Sequence, residues 1–324
     1  MSQLLECARN TDCPSNLELS MTEAPNHDPV MINEVFSSMS LAPGMVYLDG
    51  TVGLGGHSIR AAELISPGGT LIGIDRDESM LEIAKKRLSQ YTSIKVSLHH
   101  SEFRNIPDIL GADGLMADGI LLDLGLNSAQ LDDVDRGFSF QAEGPLDMRM
   151  DRSIGETASD LLNRLSLFEI ETILFQFGDE RWSRAIALKI VERRQSKPLN
   201  TTQDLIDCVL GAVPAKAREV RIHPATRTFQ AVRIAVNREF GDLGNSIVQA
   251  AECLANQGVL VVLTYHSGED KIVKNAFKQL DSDRFSDVYK KPLVPSSNEI
   301  LINRRARSAK LRAIRRVSAS CLTN

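Results

Sequence analysis

The stretch DGTVGLGGHS, residues 49–58, follows the apolar run MVYLDG (45–50) and sets Gly53, Gly55 and Gly56 within four positions. Glycine lets the backbone take left-handed conformations or come close to another group. A glycine loop opening off a buried strand therefore marks a place where a ligand meets the main chain. Three ligands compete for it. A nucleoside triphosphate loop needs Lys and then Ser or Thr after its last glycine, and here His57 and Ser58 follow Gly56. The dinucleotide fingerprint G-x-G-x-x-G is met by Gly53 and Gly55, but Ser58 stands at the third glycine. S-adenosylmethionine brings no pyrophosphate. It asks for an acid near the end of strand one, glycines at the turn, and an acid after strand two for the ribose hydroxyls. Asp49, the three glycines and Asp75 supply these in order, although Asp75 would suit an NAD ribose equally well.

Outward from the loop, GTLIGID (69–75), IKVSLHH (94–100), ADGILLDLG (117–125) and GVLVVLTYH (258–266) are further short apolar runs bounded by Gly, Asp or His, and read as buried strands. Between them lie HSIRAAELIS and DESMLEIAKKRLSQY, the latter with Met80, Ile83, Ala84 and Leu88 at helical spacing. Strand alternating with helix predicts an α/β fold, a Rossmann-like parallel sheet covered on both faces. The rhythm stops between residues 132 and 224. There ETASDLLNRL, LFEIETILFQF, RWSRAIALKIVERR and TQDLIDCVLGAV read as helices, with capping-box spacing at Ser166/Glu169 and Thr201/Asp204. A helical domain inserted into the α/β domain is the economical organisation: a disordered tail at 1–26, the first part of the α/β domain at 27–131, the insert at 132–224 and the second part at 225–324. The second part opens with TFQAVRIAVNREFGDLGNSI, read as one helix with Phe229, Val232, Val236, Phe240 and Leu243 on one face. No internal repeat or low-complexity segment is present.

Composition excludes several classes. The 324 residues are 43% hydrophobic and 24% charged, as in a soluble globular protein. No apolar stretch approaches the roughly 20 residues of a spanning helix. The N-terminus has neither a secretion signal nor a transit-peptide character, and the five cysteines are scattered without a CxxC pair, which points to a reducing cytoplasm and away from a zinc site. Net charge is −5, yet residues 300–324 carry seven basic side chains and no acid, and a second basic stretch runs from Arg181 to Lys197. Either is a solvated face or a nucleic-acid contact.

The fourth strand bears on the choice of ligand. GILLDLGLNSAQLD runs buried to Asp123 and opens into Gly125, Asn127, Ser128 and Gln130, small polar groups at the carboxyl edge where ligands bind in open α/β sheets. Amino-directed methyltransferases place a short polar motif here, whose acceptors hold an exocyclic NH2. An ordinary polar turn is the plain alternative.

Eight segments together carry a resemblance: HDPVMINEV, YLDGTVGLGGHS, GIDRD, DGILLDLGLNSAQLDDVDRGFSF, GPLDMRM, HPATRTFQAVRIAVNRE, YHSGEDKIVK and RRARSAKLR. In this order, from about His27 to Val317, the chain resembles the bacterial 16S rRNA (cytosine-N4) methyltransferase family, RsmH or MraW. The resemblance implies a class I S-adenosylmethionine-dependent methyltransferase with a helical insert that helps recognise RNA. It also implies methyl transfer to the exocyclic N4 amine of one cytidine in the decoding centre of the small ribosomal subunit. Carried over by position, the family's cofactor contacts fall on Gly55, Gly56, His57, Asp75, Phe103, Asp123 and Gln130. The chain departs from the family at Asn127, where Ser is usual, at Ala129, where Pro is usual, and in TYHSGED, where SFHSLED is usual.

The sulfonium is an activated donor, so no metal is called for, and alignment of donor and amine carries most of the catalysis. Asp123 or Asn127 is expected to accept the amine hydrogens and favour the reactive, pyramidal nitrogen. The target base must leave its stack. Arg227, Arg304, Arg307, Lys310 and Arg312 are expected to hold the RNA backbone, with steep salt dependence. Two rivals are an NAD-dependent oxidoreductase and a non-catalytic RNA-binding or ribosome-assembly protein.

Overall fold

A computed structural model of the chain describes residues 29–219 and 223–317. The tail expected at residues 1–26 and the end of the basic segment, 318–324, lie outside the described residues. Seven strands form one sheet: β1 (Val46–Asp49), β2 (Thr70–Asp75), β3 (Lys95–His100), β4 (Ala117–Asp123), β5 (Leu254–Thr264), β6 (Phe285–Asp287) and β7 (Lys310–Arg316), in the order β3-β2-β1-β4-β5-β7-β6. The first five are parallel, and β7 runs antiparallel to both β5 and β6.

Alternate residues of the central strands feed opposite faces, and both faces are covered. Leu48, Ile72, Ile120, Leu122 and Val262 pack with helices Leu243–Glu252 and Ser267–Phe277. Tyr47, Leu71, Leu121, Val261 and Leu263 pack with helices Ile32–Met39 and Gly56–Ile65. This double burial is why the strands read as unbroken apolar runs instead of alternating ones. The chain proceeds from β1 outward to β3, then returns to lay β4 on the other side of β1. That reversal opens a crevice beyond the carboxyl ends of β1 and β4.

Between β4 and β5 a third apolar cluster gathers helices Ala158–Arg164, Leu167–Gly178, Ser183–Ser196 and Thr202–Ala212. Both expected capping boxes are formed: Ser166 and Thr201 each accept from the N–H three residues on, and Glu169 and Asp204 answer to the cap backbone. The cluster also takes in Phe229, Ala231 and Val232, so its packing continues past residue 224. Helix Leu167–Gly178 meets helix Thr226–Asn237 so closely that a β-carbon on Gly178 would lie 2.6 Å from the Arg227 carbonyl oxygen.

One expectation is corrected. The segment from Thr228 to Ile247 is not one helix: Thr226–Asn237 ends where Arg238 turns left-handed at φ 49°, and a new helix begins at Leu243. At the break Asn237 is tied to the preceding region: its side chain donates to the Met148 carbonyl and accepts from the Met150 N–H, both at 2.7 Å. The basic segment is in part built into the sheet. Its residues 310–316 are β7, with Leu311, Ala313 and Ile314 buried in the sheet. The charges masked an apolar alternation that pairs with β5.

Candidate functional site

A cavity of about 240 Å³ lies in the crevice beyond β1 and β4. Its walls come from the loop after β1 (Gly50, Thr51, Gly53), the end of β2 (Asp75, Arg76), the turn after β3 (Ser101 to Arg104) and the turn after β4 (Asp123 to Asn127). The link that the helix break creates, Arg238 to Asp242, closes it from the side of the helical cluster.

The glycine loop is shaped by its own carboxylates. Gly53 and Gly55 take φ of 51° and 79°, left-handed values that a side chain strains to adopt. This turns the Gly53 N–H onto Asp75 Oδ2 at 2.7 Å, while Asp75 Oδ1 accepts the Asp77 N–H at 2.9 Å. Beneath the loop Asp49 is buried, accepting from Ser58 Oγ at 2.7 Å and from the Thr51 N–H at 3.1 Å. Burial pushes the Asp49 carboxyl up to about 6 and raises Asp75 as well, against the pull of its backbone donors. A loop that spends an amide on a carboxylate and sits over a second acid is a poor cradle for a pyrophosphate. Ser58, the departure from the dinucleotide pattern, is the residue that holds Asp49.

Thr51 Oγ1 accepts the Asp123 N–H at 2.7 Å and so locks the loop to the end of β4. Asp123 Oδ1 accepts from the Tyr265 hydroxyl at 2.7 Å, and Oδ2 lies 3.9 Å from His57 Nδ1. Burial, with Glu269 nearby, raises this carboxyl to about 7 despite the Tyr265 donor. Burial also lowers His57, which favours the neutral ring. Asn127 caps helix Ser128–Asp132: its Oδ1 accepts the Gln130 N–H at 2.9 Å, and Gln130 Oε1 accepts the Asn127 N–H in return. The Gln130 amide then donates to Asp77 Oδ2 at 2.7 Å, which also pairs with Arg136 Nη1 at 2.7 Å. A buried polar network thus joins the turns after β2 and β4 to the start of the helical region.

Of the residues expected to contact a cofactor, Asp75, Phe103, Asp123 and Gln130 line the cavity together, and Asn127 is with them. Gly55, Gly56 and His57 are not among the lining residues. They form the start of helix Gly56–Ile65, where Gly55 backs onto Ala84, Gly56 onto Pro29, and His57 Nε2 meets the Val30 carbonyl at 3.0 Å. Among the cations expected to hold RNA, Lys310 and Arg312 both pair with Asp270, at 3.0 and 2.7 Å, and so hold β7 to helix Ser267–Phe277. Arg227 pairs with Glu219 at 3.2 Å. Arg304 and Arg307 are exposed. Among the described residues no group of His, Cys, Asp and Glu could hold a metal ion, and no helix is long and apolar enough to cross a membrane.

Residues 24–317 match the model of the MraW methylase family. The chain belongs to the MraW methylase family. It is 44% identical over 305 residues to the ribosomal RNA small subunit methyltransferase H of Trichlorobacter lovleyi, covering 89% of this chain and 97% of that one. It is 45% identical over 311 residues to the protein of the same name from Pelobacter propionicus, covering 90% and 98%. A solved rRNA methylase from Streptococcus thermophilus is more distant, with a TM-score of 0.40 and 11% identity over 91% of this chain and 100% of that one.

Within this MraW-family chain, sequence reading assigned no role to Tyr265, Glu269, Thr51, Arg76 or the Arg238 to Asp242 link. Tyr265 and Glu269 belong to the motif YHSGEDKIVK, and an aromatic followed by two acids directly after a strand was the available signal. Locally only Gly241 and Asp242 mark the link. It reaches the cavity only because Asn237 is held by Met148 and Met150, some ninety positions earlier.

Proposed function

We propose that this protein transfers a methyl group from S-adenosylmethionine to the exocyclic N4 amine of a cytidine in the decoding centre of 16S rRNA, within the cytoplasmic small ribosomal subunit. The observation that carries the reading is Asp123, at the end of β4 in the cavity wall, with Oδ1 engaged by Tyr265 and Oδ2 more than hydrogen-bond distance from His57.

The residues present fit the donor. Asp75 keeps lone pairs for ribose hydroxyls beyond the two backbone donors it already accepts. Phe103, half-buried in the wall, offers its ring to an adenine. The carboxylates of Asp75 and Asp123 give the cavity the sign a sulfonium prefers. Gly55, Gly56 and His57, outside the wall, reach the ligand only through the backbone of the helix start. When bound, S-adenosylmethionine supplies a methyl group already activated on a positive sulfur.

The chain's part is alignment and proton removal. The cytosine amine is a weak nucleophile because its lone pair is delocalised into the ring. An acceptor at Asp123 Oδ2 draws an N–H and favours the pyramidal nitrogen; Asn127 Oδ1, already spent on the helix cap, is the poorer acceptor. Once the nitrogen has used its lone pair on the new N–C bond, an N–H bond breaks and its proton passes to Oδ2.

The helical region serves as the RNA side of the site, as residues 132–224 with a core that extends to Val232. Exposed Arg304 and Arg307 contribute phosphate contacts. The deciding experiment is mass mapping of 16S rRNA from cells lacking the protein, with restoration by the purified enzyme and labelled donor. A cytidine that loses one methyl and regains it supports the reading; an unchanged map overturns it.

A further inference from the structure

The Asp123 carboxylate is held from one side only, and by a residue from another strand. Tyr265 follows β5 directly, its N–H donating to Glu269 Oε2 at 2.8 Å while its hydroxyl reaches Asp123 Oδ1 at 2.7 Å. Glu269 is itself fixed. Burial opposes its ionisation, yet His266, Arg233 and the Tyr265 N–H outweigh burial and keep it ionised. Gly125 passes beside the phenol ring, where even a β-carbon would come within 3.8 Å. Anchored at its backbone, the phenol stands beside the turn after β4 with its hydroxyl on Asp123.

We propose that Tyr265 is a positioning residue for methyl transfer: its hydroxyl takes Oδ1 and so orients the Asp123 carboxylate, leaving Oδ2 as the acceptor for the substrate amine. The inference rests on the reading of Asp123 as the amine acceptor and adds a residue that orients that acceptor in this chain, at a position where the family pattern SFHSLED has Phe in place of Tyr265. The groups facing Asp123 are Asp49 and Tyr47 from β1, His57 from helix Gly56–Ile65, and Tyr265 with Glu269 from the end of β5 and the helix after it. Burial and the neighbouring acids oppose ionisation, and His57 is driven toward its neutral form. The phenolic hydroxyl is the hydrogen bond that favours the charged carboxylate.

Tyr265→Phe keeps the ring and removes only this donor. With the full chain, S-adenosylmethionine and 16S rRNA, the acid limb of kcat against pH should move upward by roughly half to one pH unit, with a lower plateau, the scale of one lost hydrogen bond to a charged group. Donor affinity measured by calorimetry should stay within about twofold, because the hydroxyl is not proposed to touch the donor. Without donor or RNA, the carbon-13 carboxyl resonance of Asp123, assigned by its absence in Asp123→Asn, should titrate higher in the variant by the same amount. An unmoved midpoint in both measurements overturns the proposal, as does a pH-independent loss of rate. Should the variant fail to fold, the unaltered protein still decides: the Tyr265 hydroxyl proton must exchange slowly and shift as Asp123 titrates, and a freely exchanging hydroxyl overturns the proposal. Asp123→Asn separates the two levels. If it turns over normally, the reading of Asp123 itself fails; if it is inactive while Tyr265→Phe leaves the midpoint in place, only the role of Tyr265 fails.

Discussion

Arg136 Nη1 lies 2.7 Å from Asp77 Oδ2, with both side chains about 5% exposed, and the same guanidinium donates to the carbonyls of Arg149 and Met150. Asp77 caps the helix after β2, two residues from Asp75, and also holds Gln130. The pair therefore ties the start of the helical region to the cavity floor. Removing one partner of a buried pair strands the other charge, so Arg136→Ala is expected to destabilise the protein by about 3 to 5 kcal/mol. Urea unfolding of the pure protein measures this, and a loss below about 1 kcal/mol would show that water replaces the guanidinium.

Gly178 is a second joint. Its absent β-carbon would stand 2.6 Å from the backbone oxygen of Arg227, an atom that cannot rotate aside. Gly178→Ala should force the two helices apart and cost about 1 to 3 kcal/mol, although alanine is the better helix former. A melting temperature equal to that of the unaltered protein would contradict the close approach.

Asp123→Asn should reduce turnover on the order of 10² to 10⁴-fold, the range for a lost general base. In the unaltered enzyme kcat should rise with pH through about 7, where the carboxyl loses its proton, and level off above. A rate independent of pH across that range would remove Asp123 from the chemistry.

The same burial predicts an unusual stability profile. In the folded chain Asp49 and Asp123 keep their protons up to about 6 and about 7, while an unfolded aspartate releases its proton near 3.9. Between those values the native state binds more protons than the unfolded one, so these two groups make stability fall as pH rises. The carboxylates held low by partners, such as Asp77 and Asp270, have the opposite sign, but their contribution is lost only below the unfolded value. Asp49→Asn should therefore flatten the decline in unfolding midpoint between about pH 4 and about pH 6, leaving the part that Asp123 contributes up to about pH 7. An unchanged slope would exclude Asp49 as a source.

The basic segment divides by role. Arg304→Ala and Arg307→Ala should each reduce the salt dependence of RNA binding by about 0.7 to 0.9 in slope and leave stability nearly unchanged. Arg312→Ala should lower the melting temperature instead, because it frees Asp270 and loosens β7. Binding slopes identical across the three variants would dissolve this division.

That last contrast shows where the sequence was legible and where it was not. The run of seven basic residues reads as one electrostatic feature, because charge is visible locally. Leu311, Ala313 and Ile314 between them are visible as a strand only once β5 lies alongside. Asp75 and Asp123 were legible for the reverse reason: an acid that ends a buried apolar run stands at the carboxyl edge of the sheet, where ligands bind. As cofactor contacts Gly55, Gly56 and His57 came from the family resemblance, and the fold sets them at the helix start behind the wall.

By itself the amino-acid order determined the parallel sheet, the glycine loop, the acids at the strand ends and the helix caps. All of these depend on neighbours within a few positions, through hydrophobic periodicity, glycine dihedrals and side-chain capping. Tertiary structure alone decided that Asn237 would be tied to Met148 and Met150 at a helix end, that part of the basic segment would become an interior strand, and that Tyr265 would meet Asp123 across 142 positions. Those outcomes depend on which elements the core brings together, and a hydrogen bond between distant strands leaves no local trace in either of them.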